Sequence, residues 1–269
     1  PTEVLVLEAP SRIELARAAG ALADYLARRP DVALVDLAYT LGVVRRRPGP
    51  AARLAIVAAS VEEAARKLVH ARTRLEAPDA RRIRDVSGIY FAETPLGGEG
   101  RVAFLFPGEG SQYPGMLGEL CLHFPEVRRW FDLMDAAFVG HPRGFRPSQV
   151  VFPPPGAEPD PAAADARLWR MDAGAEVVFA ASQGLHALLT ALALRPDAVV
   201  GHSTGEYSAL LAAGALRPAD DQALREHVRE LNGIYETLAA RRAIPEGVLL
   251  TVAHADPAAV ARVLAEAGE

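Results

Sequence analysis

Residues 201–205, Gly201-His202-Ser203-Thr204-Gly205, have the G-x-S-x-G spacing of a nucleophile elbow. An apolar run at Ala198–His202 precedes the serine and a helix-forming run at Gly205–Gly214 follows it. The serine therefore stands where a strand turns sharply into a helix. A side chain at either glycine would crowd that turn. Near a helix N-terminus, free N–H groups and the helix dipole favour an oxyanion, and the chemistry would be a covalent serine ester. The plainer reading of the same five residues is a small serine in a tight β-α turn. A second stretch, Phe106-Pro107-Gly108-Glu109-Gly110-Ser111-Gln112, closes an apolar strand and opens a helix. Such a loop offers backbone N–H groups at the edge of a parallel sheet, where a second oxyanion donor could lie. Alone it reads equally well as a plain turn. It lacks both Gly-x-Gly-x-x-Gly and the lysine of a phosphate loop, so a nucleotide site is not supported.

Other chemistries find no pattern. His70, His123, His141, His186, His202, His227 and His254 show no zinc spacing, and Cys121 is the only cysteine. His70, His123 and His186 read as helix residues. There is no Asp-Gly dipeptide for a serine–aspartate dyad and no His-Gly-Gly-Gly oxyanion sequence of lipases.

The elements that must hold these loops fall into two α/β units. In residues 1–99, Val4–Leu7 reads as a strand. Ser11 and Glu14 form a capping box for a helix ending near Arg29, before Pro30. A short helix at Asp31–Leu41, a strand at Arg53–Ala59, and a second boxed helix from Ser60 and Glu63 to Leu75 follow, then a strand at Ile89–Ala92. The order is β-α-α-β-α-β. Gly97–Gly100 marks a boundary. Beyond it, Arg101–Phe106 reads as a strand buried on both faces. Helices are expected near Met116–His123 and Pro125–Phe138, and residues 142–161, with seven prolines, read as a long surface loop. Met171–Leu194 reads as a buried helix, because Ser182, Gln183, Gly184 and His186 interrupt what would otherwise resemble a membrane span. Pro218–Arg241 carries Leu224, Val228, Leu231, Tyr235 and Leu238 on one stripe. Val248–Ala253 reads as a strand and Pro257–Ala267 as a helix.

Composition narrows the class. Half of the 269 residues are hydrophobic, 23% are charged and the net charge is −5, which fits a globular protein and not a nucleic-acid binder or membrane protein. A lone cysteine forms no internal disulfide, consistent with the reducing cytoplasm. With no initiator Met and no leader, Pro1 reads as a cut from a longer polypeptide.

Taken together and in this order, the two loops resemble the malonyl-CoA:acyl carrier protein transacylase family. The matching runs are Phe-Pro-Gly-Glu-Gly-Ser-Gln at 106–112, and Gly-His-Ser-Thr-Gly-Glu-Tyr-Ser-Ala-Leu at 201–210 with Ala-Ala-Gly at 212–214. Residues 1–99 are similar to the linker domain between ketosynthase and acyltransferase in type I polyketide synthases, through Asp36–Leu41 and Arg53–Ala58. The run at 107–116 looks most like iterative synthases of enediyne type. The resemblance implies three parts: the linker at 1–99, the first part of an α/β-hydrolase-like large subdomain at 100–244, and the start of a ferredoxin-like small subdomain at 245–269. It implies that Ser203 takes a malonyl group from CoA and passes it to the phosphopantetheine thiol of an acyl carrier protein, with no bound cofactor or metal. The backbone N–H groups of Glu109 and Thr204 would bind the oxyanion. Gly108, Gly110 and His202 would line the substrate. The acyl carrier protein and ketosynthase of the same synthase would be partners.

Some positions depart from the family pattern. The family has Gln at position 109, and Glu109 brings a negative charge near an anionic substrate. For the carboxylate-binding arginine, Arg229 matches best with a one-residue gap, and Arg225 is the other choice; both share a helix flank with Asn232 and Glu236. A family Gln before the elbow is replaced by Ala175 or Glu176. The family's catalytic His lies farther from the serine than the 66 residues that follow Ser203, and none of the seven His stands in its motif. The chain by itself is therefore expected not to turn over and to expose a sheet edge. A serine hydrolase or editing thioesterase, or a docking fragment of a megasynthase, are the alternative readings.

Overall fold

The computed structural model describes residues 2–29, 31–43, 52–93, 100–153, 168–169, 171–241, 252–253 and 256–267. They form two compact units, Pro1–Gly100 and Arg101–Glu269.

In the first unit, alternation along the strands decides which face is buried. Strand β2 (Ala52–Ala58) points Ala52, Leu54, Ile56 and Ala58 inward. It pairs antiparallel with β1 (Glu3–Ala9) and β4 (Ile89–Ala92), and β4 pairs with β3 (Arg82–Asp85), giving the sheet order β1-β2-β4-β3. Helices α1 (Arg12–Arg28) and α3 (Val61–Glu76) pack on each other and on the inward face; α2 (Leu34–Val43) packs against β1. The serine half of both capping boxes forms, and Glu63 reaches back to the residue before its cap. Ser11 Oγ accepts from Glu14 N at 3.3 Å, Ser60 Oγ accepts from Glu63 N at 3.2 Å, and Glu63 Oε2 accepts from Ala59 N at 2.8 Å. The far end of α3 is capped from outside. Arg12 donates to the carbonyls of Leu75 and Ala77, where a cation suits the helix dipole.

The observed order is β-α-α-β-α-β-β, with β3 additional to the sequence reading. Only Ile83 of that strand is buried, so its four residues carry no apolar pattern. The signal lay in the turn instead. Asp85 O accepts from Gly88 N at 2.9 Å, and Gly88 has φ +99°, a conformation that favours glycine.

The second unit is built around two parallel strands, β5 (Ala103–Phe106) and β6 (Ala198–Gly201), in register from Ala103↔Ala198 to Phe106↔Gly201. Helices α4 (Gly118–His123), α5 (Pro125–Ala137), α6 (Ser148–Val151), α7 (Met171–Ala191), α8 (Gly205–Ala212), α9 (Asp221–Ala240) and α10 (Pro257–Ala267) complete the described elements. The core is helical: Val127, Phe131 and Met134 of α5 meet Val177, Ala180 and Ala181 of α7. The two helices approach closely at Gly184, where a Cβ would lie 3.1 Å from Val127 Cγ1. No described helix is long and apolar enough to cross a membrane.

Four expectations are corrected or left open here. Strand β5 is not buried on both faces: Leu105 is 75% exposed, and Val200 of β6 is 55% exposed. Among the described residues each strand pairs only with the other. Within the stretch read as a loop, α6 forms, because Asp135 accepts from Ser148 N and Oγ at 2.9 and 2.6 Å and Val150 and Val151 are buried; residues 154–167 lie outside the described part. Helix α9 starts at Asp221 and not at Pro218, because Asp220 Oδ1 accepts from Ala223 N at 2.8 Å as its cap. Its stripe is buried at Leu224 and Val228 but exposed at Leu231 and Leu238. Of the strand expected at Val248–Ala253, only residues 252–253 are described, and they are in no strand.

Leu54 is fully buried at the centre of the first unit. Leu54→Ala is expected to destabilise that unit by about 2–5 kcal/mol, the cost of a core cavity. Urea unfolding followed by far-UV circular dichroism checks it; a loss below about 1 kcal/mol would mean that the core relaxes around the gap.

Candidate active site

Ser203 follows β6 directly and has φ +55°. Left-handed backbone at a non-glycine residue costs about 1–2 kcal/mol, so the surrounding contacts must impose it. They are visible at the flanking glycines. A Cβ on Gly201 would lie 2.5 Å from Glu206 N, and one on Gly205 would strike the Phe106 carbonyl oxygen and lie 2.6 Å from that of Pro107. Strand and helix thus touch backbone to backbone on both sides of the serine. Gly205 N donates to His202 O at 2.9 Å, Glu206 N to Ser203 O at 3.0 Å, and His202 N to Phe106 O at 3.0 Å. The last bond extends the parallel ladder one step and ties the elbow to the glycine-rich loop.

That loop lies on the elbow. A Cβ at Gly108 would be 2.7 Å from His202 O and 2.8 Å from Ser203 Cβ, so only glycine fits there. Gly110 has φ +100° with open space around it, so its demand is conformational. Buried Gln112 holds the loop in shape: its Oε1 accepts from Gly110 N at 2.8 Å, and its Nε2 donates to Leu168 O at 3.2 Å. Ser111 Oγ donates to Gly108 O at 2.8 Å. A Cβ at Gly174 of α7 would be 2.9 Å from Gln112 Nε2, so the first turn of α7 backs the loop.

The structure therefore brings together Ser203, His202, Thr204, Gly108, Glu109 and Gly110. Among the described residues, neither the Thr204 nor the Glu109 N–H donates to another group, as an oxyanion site requires. Ser203 and the His202 side chain are exposed, and no described imidazole or carboxylate is hydrogen-bonded to the serine hydroxyl. Glu109 is half-buried, and burial pushes its carboxyl above the usual range. The two arginines are engaged elsewhere. Arg229 donates to the carbonyls of Ala137 and Val139 at the end of α5, and Arg225 to Gln222 Oε1 at 2.6 Å on its own helix.

Sequence reasoning did not foresee the polar groups that join the helices behind the elbow. Gln183 of α7, 1% exposed, donates to Ser208 O of α8 at 3.0 Å. Tyr207 of α8 lies between α7 and α9, with its ring centroid 5.2 Å from that of Phe179 and 5.4 Å from that of His227. Burial pushes its phenol up to about 12. Glu176 of α7 is joined to Asn232 of α9 and to Arg143. The hint for each was a polar residue set in an apolar helical run, which tells that a partner exists but not which one.

The chain is similar to known proteins. Residues 103–244 match the acyl transferase domain family, and residues 3–68 match the CurL-like, PKS C-terminal family. The chain is 34% identical over 203 residues to polyketide synthase GfsA of Streptomyces halstedii, an alignment of 74% of this chain and 2% of that protein. It is 33% identical over 216 residues to erythronolide synthase EryA2 of Saccharopolyspora erythraea, 80% of this chain and 6% of that protein. Its structure matches the acyl transferase domain of ZmaA with a TM-score of 0.72 at 25% identity, over 92% of this chain and 50% of that one. The chain thus spans a small fraction of these curated relatives and half of that solved domain.

The raised Glu109 carboxyl has a pH consequence. Below its raised value Glu109 is neutral; above it, the loop that lies on Ser203 carries a negative charge. Glu109→Gln is expected to acylate Ser203 at the wild-type rate in acid and faster than wild type as pH rises past that value. Single-turnover rates measured across pH check this, and a constant ratio of the two rates would show that the Glu109 charge does not reach the donor.

Proposed function

The chain belongs to the acyl transferase domain family found in polyketide synthases, and on that premise we propose that it moves a malonyl group from CoA to the phosphopantetheine thiol of an acyl carrier protein. The observation that carries this reading is Ser203, forced to φ +55° at a strand-to-helix junction with the glycine-rich loop against it. Ser203 Oγ attacks the thioester carbonyl, and the tetrahedral oxyanion accepts from the N–H groups of Thr204 and Glu109. Collapse expels the CoA thiolate and leaves a malonyl ester. The carrier-protein thiol attacks that ester in turn, and Ser203 recovers its proton. The proton acceptor is not assigned to any described residue. The neighbouring ketosynthase and the carrier protein are the partners in this reading, with residues 1–99 as the linker between catalytic domains.

Arg229 is the proposed partner of the malonyl carboxylate. A guanidinium has five N–H donors, and the two carbonyls at the end of α5 leave others for a bidentate pair. Those carbonyls also fix the side chain in advance.

Two measurements test this reading. Intact mass of the complete acyltransferase domain after incubation with malonyl-CoA is expected to show one malonyl adduct, absent in Ser203→Ala; an adduct that persists in that variant would place the nucleophile elsewhere. Prompt release of free malonate without a thiol acceptor would favour a hydrolase.

Arg229→Ala is expected to slow malonyl loading about ten- to a hundredfold relative to acetyl loading, since a charge-assisted hydrogen bond contributes about 1.5–3 kcal/mol. Equal losses for the two acyl groups would move the carboxylate to Arg225.

A further inference from the structure

Helices α7 and α9 meet through a buried polar pair. Glu176 is 6% exposed and Asn232 is 7% exposed. Asn232 Nδ2 donates to Glu176 Oε1 at 3.0 Å, and Arg143 Nη1 reaches the same oxygen at 3.3 Å. The other two polar atoms of the pair, Glu176 Oε2 and Asn232 Oδ1, are buried and make no hydrogen bond. In an ionised pair both are acceptors, so neither can serve the other. One proton resolves both. A neutral carboxyl carries O–H on Oε2, which can donate to Asn232 Oδ1 while Oε1 goes on accepting from Nδ2. Acid and amide are complementary at two points in this way.

The pair lies at the catalytic end of the unit. Gly174, two residues before Glu176, packs on Gln112, which shapes the loop through Gly110, and Gly108 of that loop lies on Ser203. The later part of α7 runs instead beside β5, where His186 meets Phe104 and Phe106 edge-on. We propose that Glu176 and Asn232 share a proton as an acid–amide pair, and that the pair is a positioning element for acyl transfer, holding the first turns of α7 on α9 so that α7 backs the glycine-rich loop. The positioning role rests on the acyl-transfer reading; the shared proton does not.

Two effects oppose each other at Glu176: Arg143, as buried as the carboxyl, pairs with it at 3.3 Å, while burial disfavours its charge. Burial raises its carboxyl above the ordinary range, and this outweighs Arg143 and the hydrogen bonds from Arg143 and Asn232, which lower it. Asp135 of α5 is taken by Ser148, and His141 lies 3.8 Å from Glu236 of α9. Arg229 is held by carbonyls, His227 lies 3.8 Å from Glu230, and the Tyr207 phenol of α8 is neutral. Because the folded-state value is raised, the folded chain keeps a proton that the unfolded chain releases. Stability is lost as pH rises from the ordinary carboxyl value to the raised one and is level above it.

Thermal unfolding and single-turnover acylation of Ser203 by malonyl-CoA are to be measured on the complete acyltransferase domain from about pH 5 to about pH 9 for wild type, Glu176→Gln and Glu176→Ala. Glutamine donates and accepts at the same two points at every pH. The gap in Tm between Glu176→Gln and wild type is expected to open with rising pH, a tenfold change in folding equilibrium per pH unit until the raised value is reached. Loading by Glu176→Gln is expected to lose the alkaline decline that Glu176 causes in wild type, while Glu176→Ala loads slowly throughout. A Tm gap that stays constant with pH overturns the shared proton, whatever loading does. A gap that opens while Glu176→Gln and wild type keep parallel loading profiles overturns the positioning role. Absence of loading in all three proteins faults the acyl-transfer reading, and the Tm series still decides the proton.

Discussion

The second unit depends on one close approach: the backbone of Gly205 lies against the carbonyl oxygens of Phe106 and Pro107. Only two glycine positions flanking the serine, and a third at Gly108, let two β-α turns share this space. The parallel register that ends at Phe106↔Gly201 brings the turns level, and the His202 N–Phe106 O bond locks them. The left-handed Ser203 follows from that packing. So does the placement of Gly108 against Ser203. The constraint acts through backbone atoms, so it falls on Gly108 and leaves the next position able to carry glutamate.

Around this contact the helices act as a mount. Apolar packing joins α5 to α7, but it has little direction. Direction comes from a few buried polar links: Gln112 to Leu168, Gln183 to Ser208, and Glu176 to Asn232. Each joins elements distant in sequence, and each leaves a buried polar atom unpaired if one helix slides. The first unit uses the same device at its edge. Lys67, the only lysine of the chain, is nearly buried, donating to Val57 O at 2.6 Å and pairing with Glu63 at 2.7 Å.

Local rules made much of this legible without coordinates. The two serine N-caps, the proline-started helices at Pro125 and Pro257, the inward alternation of β2 and the elbow itself are set by short-range sterics and hydrogen bonding, which depend on neighbours in sequence. Where such signals were weak the reading failed. Strand β3 offers one apolar residue in four, and α6 forms within a proline-rich stretch because Asp135, thirteen residues earlier, caps it.

The G-x-S-x-G spacing by itself determined that a serine would sit on a strand-to-helix turn, since the need for glycine there is a property of five consecutive residues. Tertiary structure decided what surrounds the serine. That Gly108 lies on Ser203, that Arg229 reaches the end of α5, that Leu105 is left exposed, and that Glu176 meets Asn232 all involve residues on different elements. Periodicity in a helix tells which face is apolar, but it does not tell which polar groups on two helices come into register. That depends on the crossing of α7 and α9, which is set by the summed packing of many side chains and by no single stretch of sequence.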